Sequence, residues 1–191
     1  ISGSFSSDQA VRLNGLSIFP QEFTTEAYEF IFRNPQDILN AYGITILITA
    51  IGTGVGLIFL TMTAFVISRK DFKYRNVISF YFYFTTLFNG GMVCTYIFYI
   101  QYYGLKDNLL ALILPGLTPV FYMLIMRNFV SGIPSALIES AKIDGAGEVR
   151  IFFQIVLPLL GSGLATIGLF MALTYWNDWY NAMLYINTEW K

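Results

Sequence analysis

The sequence contains no histidine, and with it go the commonest general base, metal ligand and physiological pH switch. It has a single cysteine, Cys94, inside an apolar run, so no disulfide can form within the chain and the residue reads as a small buried side chain. Charge is scarce: 12% of residues are Asp, Glu, Lys or Arg, where about 25% is ordinary for a soluble domain. The net charge of −1 excludes a basic nucleic-acid-binding surface, so no nucleic acid is expected as a partner. No Gly-x-x-x-x-Gly-Lys-Ser/Thr stretch occurs, so the chain has no phosphate loop of its own. No nucleophile–base pair or metal-ligand set stands out, which argues against an enzyme. No basic region and apolar core of a signal peptide precede Ile1, and the start without Met reads as part of a longer chain.

What is present is apolar. Hydrophobic residues make up 55% of the chain, more than a soluble core of this size can hide, so part of its solvent is expected to be lipid. In lipid every backbone polar group must be satisfied within the segment, and uncharged runs of helical length then imply an all-α, polytopic transmembrane bundle.

Residues 1–37 are the most polar region and are expected to form an extracytoplasmic segment with short helices. Asp8, Glu22, Glu26, Glu29 and Asp37 outnumber Arg12 and Arg33 there. Phe19-Pro20-Gln21-Glu22-Phe23 reads as a turn. Thr25 can cap a short helix carrying Tyr28, Ile31 and Phe32 on one face. Asn34-Pro35-Gln36-Asp37 looks like a second helix start, with Asn34 at the N-cap, Pro35 in the first position and Asp37 near the positive end of the dipole.

A membrane domain is expected over 38–191. Ile38 to Ser68 carry no charge, and a span needs about 20 apolar residues, which places the first at about 44–67. Gly52-x-x-x-Gly56 lies on one face of it, read either as a close helix approach or as the ordinary abundance of glycine in membrane helices. Arg69, Lys70, Lys73 and Arg75 then make the next loop cytoplasmic. The second span, about 77–100, is interrupted by Asn89-Gly90-Gly91; Asn89 is polar at membrane depth and faces protein or a water-filled path. The third, about 108–126, contains Pro115-Gly116-Leu117-Thr118-Pro119. Two prolines remove two helix hydrogen bonds, so Pro115 and Thr118 mark either a packing kink or a pathway wall. The fourth, about 159–176, presents Gly161, Gly163, Ala165 and Gly168 for close packing. Trp176-Asn177-Asp178-Trp179-Tyr180 closes it, either as an interfacial aromatic belt or with Trp176 and Asn177 touching a sugar-like ligand. The inner loops 69–75 and 127–158 carry seven cations against one, Lys106, in the short outer loop, so the orientation is self-consistent.

The inner loop 127–158 is the densest polar island in the second half. Pro134 suits the start of a helix, along which Ile133, Leu137, Ile138 and Ala141 form a small apolar face. Glu139 and Lys142 are neighbours on its surface. Gly145 stops it, and Asp144 can cap a second helix that starts near Glu148 and carries Ile151, Phe152 and Ile155. Such a helix–turn–helix is too short to fold alone. It packs either on the lipid surface or into a partner's groove.

The spacing in this loop resembles a known family. Glu139-Ser140-Ala141, three residues, Gly145, nine residues, then Ile155-Val156-Leu157-Pro158 is similar to the Glu-Ala-Ala, Gly and Ile-x-Leu-Pro loop of binding-protein-dependent ABC importer permeases, with Ser140 in place of the first Ala. Ile133-Pro134, Asp144-Gly145-Ala146 and Trp176-Asn177 resemble its carbohydrate-uptake, MalG-like branch. Phe88-Asn89-Gly90-Gly91-Met92-Val93 and residues 177–185 are closest to the LplC/YtcP-like group. The resemblance implies one half of a type I importer in a bacterial cell membrane, paired with a second permease subunit. It also implies two cytoplasmic ATPase subunits, which carry the ATP and Mg while this chain binds no cofactor, and an extracytoplasmic solute-binding protein that delivers a carbohydrate, in particular an oligosaccharide. Pro134, Glu139, Ser140, Ala141, Lys142, Asp144, Gly145 and Ala146 would be the coupling helix, the part that docks on the ATPase. The family has six spans, which implies one before Ile1 and one after Lys191. The competing readings are an ion-gradient-driven secondary transporter, against which stands the lack of charge within the spans, and a membrane scaffold that transports nothing.

Overall fold

A computed structural model describes residues 2–7, 11, 15, 18–19, 23–33, 35–88 and 90–187. The chain divides into two compact units, Ile1–Ile44 with Trp190–Lys191, and Thr45–Glu189.

In the first unit a 3-10 turn, Ser2–Phe5, and the short helix α1, Glu26–Phe32, are joined by aromatic contacts. Phe5 stacks on Phe23 at 5.3 Å and leans on Tyr28 at 5.2 Å, and the Ser4 and Tyr28 hydroxyls are 3.0 Å apart. The Thr25 carbonyl opens α1 by accepting from the Tyr28 and Glu29 amides. Its hydroxyl donates to Glu29 Oε1 at 3.2 Å, and it is Thr24 whose hydroxyl accepts from the Glu26 amide at 3.2 Å. The capping expected of Thr25 is thus shared between two threonines. The expected turn at Pro20-Gln21-Glu22 and the N-cap Asn34 lie outside the described residues.

Helix α2, Pro35–Ser68, starts at the predicted proline with Asp37 in its first turn. It is the one described helix that is by itself long and apolar enough to cross a membrane. Three further stretches qualify as bent pairs, giving up to four crossings if each pair is one span. The first is α3, Arg75–Leu87, with α4, Gly91–Ile97 continued by a π-type turn Phe98–Tyr102, bent by 114°. The second is α5, Leu110–Ile113 tightened into a 3-10 turn Leu114–Gly116, with α6, Val120–Ser131, bent by 50°. After α7, Ser135–Ile143, comes the third: α8, Glu148–Ile151 prolonged through a π-type turn Phe152–Val156 and a final turn Leu157–Leu159, with α9, Gly161–Trp176, bent by 82°. A short helix α10, Trp179–Tyr185, follows. Among the described residues β structure amounts to an isolated bridge between Ser6 and Phe23, so the fold is all-α as expected.

The glycines of α2 answer the question left open by their spacing. A Cβ on Gly52 would lie 2.5 Å from Tyr175 Cζ, and one on Gly56 would lie 2.5 Å from Met171 Cε and 2.9 Å from the Leu117 carbonyl oxygen. The Gly-x-x-x-Gly face is therefore a close contact between α2 and residues one turn apart on α9. On α9 itself, Gly163 fits against the Phe129 ring of α6 and Gly168 against Leu57 of α2. Gly161, also expected on that face, meets nothing within 4 Å and sits at the bend.

The break in α5–α6 follows from its prolines. Pro115 has no N–H to give to the preceding turn, and Pro119 takes an extended conformation ahead of α6. The Leu117 amide turns back to Leu114, which leaves the Ile113 carbonyl without its usual helical donor. The Tyr175 hydroxyl donates to it at 2.8 Å. Buried carbonyls require such a partner.

One expectation fails here. Cys94 is exposed, because α4 contributes no buried residue to the chain's own core. In a chain immersed in lipid, an apolar run tells that water is absent and says nothing about which side chains face protein.

Candidate functional site

Pro134 ends the extended approach to α7 with φ −57° and ψ 126°, and its carbonyl accepts from the Leu137 amide. Nine residues of helix follow. Of the apolar face predicted for them, Ala141 is buried, Ile133 and Ile138 are half-buried and Leu137 is 43% exposed. Glu139 and Ser140 lie on the outer surface, the Ser140 hydroxyl donating back to the Leu137 carbonyl at 3.2 Å.

The helix stops at Gly145, whose φ is +78°. The Ala146 amide reaches the Ala141 carbonyl at 2.9 Å and the Gly145 amide reaches Lys142 at 3.0 Å. These are the paired bonds of a Schellman stop, with glycine at the left-handed position where a Cβ is costly. Asp144 is the last residue of this helix end, not the cap of the next one. That cap is Gly147, with φ −70° and ψ 160°, and α8 begins at Glu148. The stop consumes three residues after Ile143, so Asp144 is too early to reach the free amides of α8.

Lys142 does not use the helical neighbour Glu139. Its ammonium is 3.2 Å from Asp71 Oδ2 and 3.2 Å from Glu148 Oε1. Arg69 completes a ring of alternating charge: its Nε donates to Asp71 Oδ1 at 2.9 Å and its Nη1 to Glu148 Oε2. The Arg69 side chain is only 12% exposed, with its guanidinium 5.5 Å from the Phe65 ring centroid, whereas Asp71 and Glu148 are 59% and 56% exposed. Exposed pairs contribute little singly, about 0–1 kcal/mol, but four charges anchored on a shielded arginine form a network. The hydrogen bond from Arg69 holds the Asp71 carboxyl well below the usual carboxylate range. Asp71 in turn raises Arg69, and Glu148, then Asp71, raise Lys142. A cleft of about 280 Å³ opens beside the ring, lined by Phe65, Val66, Arg69, Asp71, Phe72 and Glu148.

Asp71, Arg69 and Glu148 were not among the residues singled out from sequence. Arg69 and its neighbours speak in the sequence for topology alone, and Glu148 only for the start of a helix. Nothing in the sequence signals a pairing between positions 71 and 142.

The residues proposed for a solute path are scattered by comparison. Asn89 lies outside the described residues. Pro115 and Thr118 are exposed in the break after α5. Trp176 is 45% exposed at the end of α9, and the Asn177 amide group donates to the Leu173 carbonyl of its own helix at 2.8 Å. The side chain that links the two stretches is one the sequence reading passed over, Tyr175. It lies between Gly52 and Gly116 and is bonded to Ile113. Its place four residues after Met171 on the glycine-facing side of α9 was the available signal. Asp178 accepts from the Asn181 amide and so caps α10, a structural role. Among the described residues no group of three or more Cys, Asp or Glu could hold a metal ion.

Residues 52–186 match the family described as binding-protein-dependent transport system inner membrane component. All 191 residues align at 40% identity with protein LplC of Bacillus subtilis, covering 64% of that protein. They align equally, at 40%, with the polygalacturonan/rhamnogalacturonan transport system permease protein YtcP of the same organism, covering 66% of it. The chain therefore spans about two thirds of the length of these relatives. A crystal structure of a bacterial ABC transporter involved in the import of the acidic polysaccharide alginate superposes with a TM-score of 0.81 at 30% identity, over 98% of this chain and 66% of that one.

Proposed function

Because this chain belongs to the family of binding-protein-dependent transport system inner membrane components, we propose that it is the permease subunit of an ATP-driven importer that moves a carbohydrate, in particular an oligosaccharide, into a bacterial cell. The chain is an all-α inner-membrane protein. The importer would join it to a second permease subunit, two cytoplasmic ATPase subunits and an extracytoplasmic solute-binding protein. ATP and Mg would be bound on the ATPase, with no cofactor on this chain. The spans expected at about 44–67, 77–100, 108–126 and 159–176 would place loop 127–158 in the cytoplasm and residues 1–37 outside.

The observation that carries this reading is the α7–Gly145–α8 turn. It is a short helix whose outer face bears Glu139, Ser140 and the exposed Ile143, and it is stopped at Gly145 by paired backbone hydrogen bonds. An exposed apolar residue on a short helix with a defined stop is the kind of knob a partner groove receives. Pro134 to Ala146 would enter the ATPase, with the Lys142 side chain turned back to Asp71 and Glu148, and Asn89, Pro115, Thr118, Trp176 and Asn177 remain proposed contacts along the solute path. The carbohydrate class rests on YtcP and on the alginate transporter, whose names state their substrates. Ion-gradient drive finds no support, since the family is one of binding-protein-dependent systems.

The test is uptake by proteoliposomes holding the complete importer, with oligogalacturonides and the binding protein outside, ATP inside and ion gradients collapsed by ionophores. Uptake is expected to continue and to stop with a non-hydrolysable nucleotide. Uptake that instead follows an imposed ion gradient without ATP refutes the proposal. Independently, a cysteine at Ser140 with Cys94 replaced should crosslink to the ATPase subunit.

A further inference from the structure

We propose that Asp71, in the loop after α2, is a positioning residue for the docking helix α7, holding it through Lys142 and so tying the ATPase contact directly to the cytoplasmic end of α2. This rests on the permease reading above. A nine-residue helix does not hold itself, and α7 buries one residue, Ala141. The Schellman stop fixes the shape of the turn, but it is internal to the loop and cannot set the loop's direction. The ring of Arg69, Asp71, Lys142 and Glu148 can. It joins three elements: the end of α2, the last turn of α7 and the first residue of α8. Asp71 touches both cations, and Arg69 touches both carboxylates, so removing any member weakens two contacts.

Charge placement supports a division of labour. Among the described residues no ion pair includes Glu139 or Asp144. The charges on the far side of α7 are left for a docking surface, while Lys142 and Glu148 turn inward to the membrane end of α2. A displacement of α7 then reaches α2 by two routes, along the chain through α8 to α9, which packs on α2 at Gly52 and Gly56, and directly through Lys142 and Asp71.

The test uses the complete importer in proteoliposomes, with two readouts: ATPase subunits captured per permease, and carbohydrate moved per ATP hydrolysed. Asp71→Asn keeps the shape of the side chain, and Arg69 retains Glu148, so the complex should assemble with wild-type ATPase content. Its transport per ATP should fall about fivefold, within the range reached by mutations along coupling networks. Lys142→Met should do the same, Lys142→Arg should not, and the double variant Asp71→Asn/Lys142→Met should be no worse than either single change. If Asp71→Asn fails to reach the membrane, the contrast between Lys142→Met and Lys142→Arg decides alone. Wild-type coupling in Asp71→Asn, or losses that multiply in the double variant, overturn the inference while the permease reading stands. A wild-type complex whose uptake ignores ATP overturns both.

Discussion

Gly145 offers the sharpest test of how the proposed docking turn works. Its φ of +78° is left-handed, and a Cβ built there meets nothing within 4 Å. Within this chain the cost of any side chain is therefore conformational and not steric. An L-residue in that region costs about 1–2 kcal/mol, and Asn tolerates it better than Ala while a β-branched residue tolerates it worst. One to two kcal/mol lowers the population of the stopped turn by roughly 5- to 30-fold. Backbone strain predicts damage in the order Asn, then Ala, then Val. Crowding in a partner groove predicts a different order, since Asn is larger than Ala: Ala mildest, with Asn and Val alike. Measuring carbohydrate moved per ATP for Gly145→Asn, Gly145→Ala and Gly145→Val in the reconstituted importer separates the two. If Ala is the mildest, the Schellman stop is not what glycine supplies, and the reasoning from φ is wrong.

Three further outcomes follow from the packing and the charges. Gly52→Ala places a methyl group 2.5 Å from a Tyr175 ring backed by Gly116, and such overpacking should cost about 1–3 kcal/mol, read as a lower unfolding midpoint in detergent; an unchanged midpoint would show that the α2–α9 contact yields. Tyr175→Phe removes the donor to the Ile113 carbonyl at 2.8 Å and should cost about 1–3 kcal/mol in the same assay, whereas no loss would mean that the carbonyl finds another partner. The contact between Asp71 and Lys142 should be indifferent to pH across the neutral range. Asp71, held below its unfolded value of about 3.9, contributes above that pH and is lost only on falling through its lower folded value. Lys142, raised above about 10.4, contributes below that pH and is lost only on rising through its folded value. The ratio of wild-type to Asp71→Asn coupling should thus stay flat from about pH 5 to pH 9, and a midpoint inside that window refutes the assignment.

The parts legible in the sequence were those fixed by local chemistry or by absence of charge. Pro35 and Asp37 marked the start of α2, Gly145 marked the stop of α7, and Pro115 with Pro119 marked a break, because each acts through its own backbone. The paired glycines at 90–91 and the two prolines announced interruptions in the second and third runs, but not the size of the bends, 114° and 50°, nor the 82° bend before α9, since a bend depends on what the freed carbonyls find. The Ile113 carbonyl finds a tyrosine 62 residues away. The charge ring was illegible for the same reason: Asp71 and Lys142 are 71 residues apart, while the nearer Glu139 offered a pairing that helical spacing allows and the fold does not use. Asp144 misled because Asp is a good cap and Gly147 a silent one; the residues taken up by the stop decided between them. Of the solute path, Pro115 and Thr118 could be placed on a break, but little in the sequence sets Tyr175, which joins that break to α9, apart from the chain's many other aromatics.

The contacts of Tyr175 bear on how a push at the docking turn would be felt in the membrane. Its ring occupies a slot whose two walls are glycines, Gly52 on α2 and Gly116 in the α5–α6 break, each too close for a Cβ. Its hydroxyl is bonded within that same break. Alpha-helices rise about 5.4 Å per turn, so sliding α9 by one turn would carry the ring out of the slot and stretch the 2.8 Å bond beyond hydrogen-bond range. The slot tolerates rotation of α9 about the tyrosine better than translation past it. A ring between two glycines has no side-chain ridges to climb, and α9 begins at Gly161, beside the 82° bend that follows α8. The geometry therefore favours a lever: α8 and the docking turn at one end, the bend at Leu160 as elbow, and Tyr175 as the fixed point against which α9 can tilt.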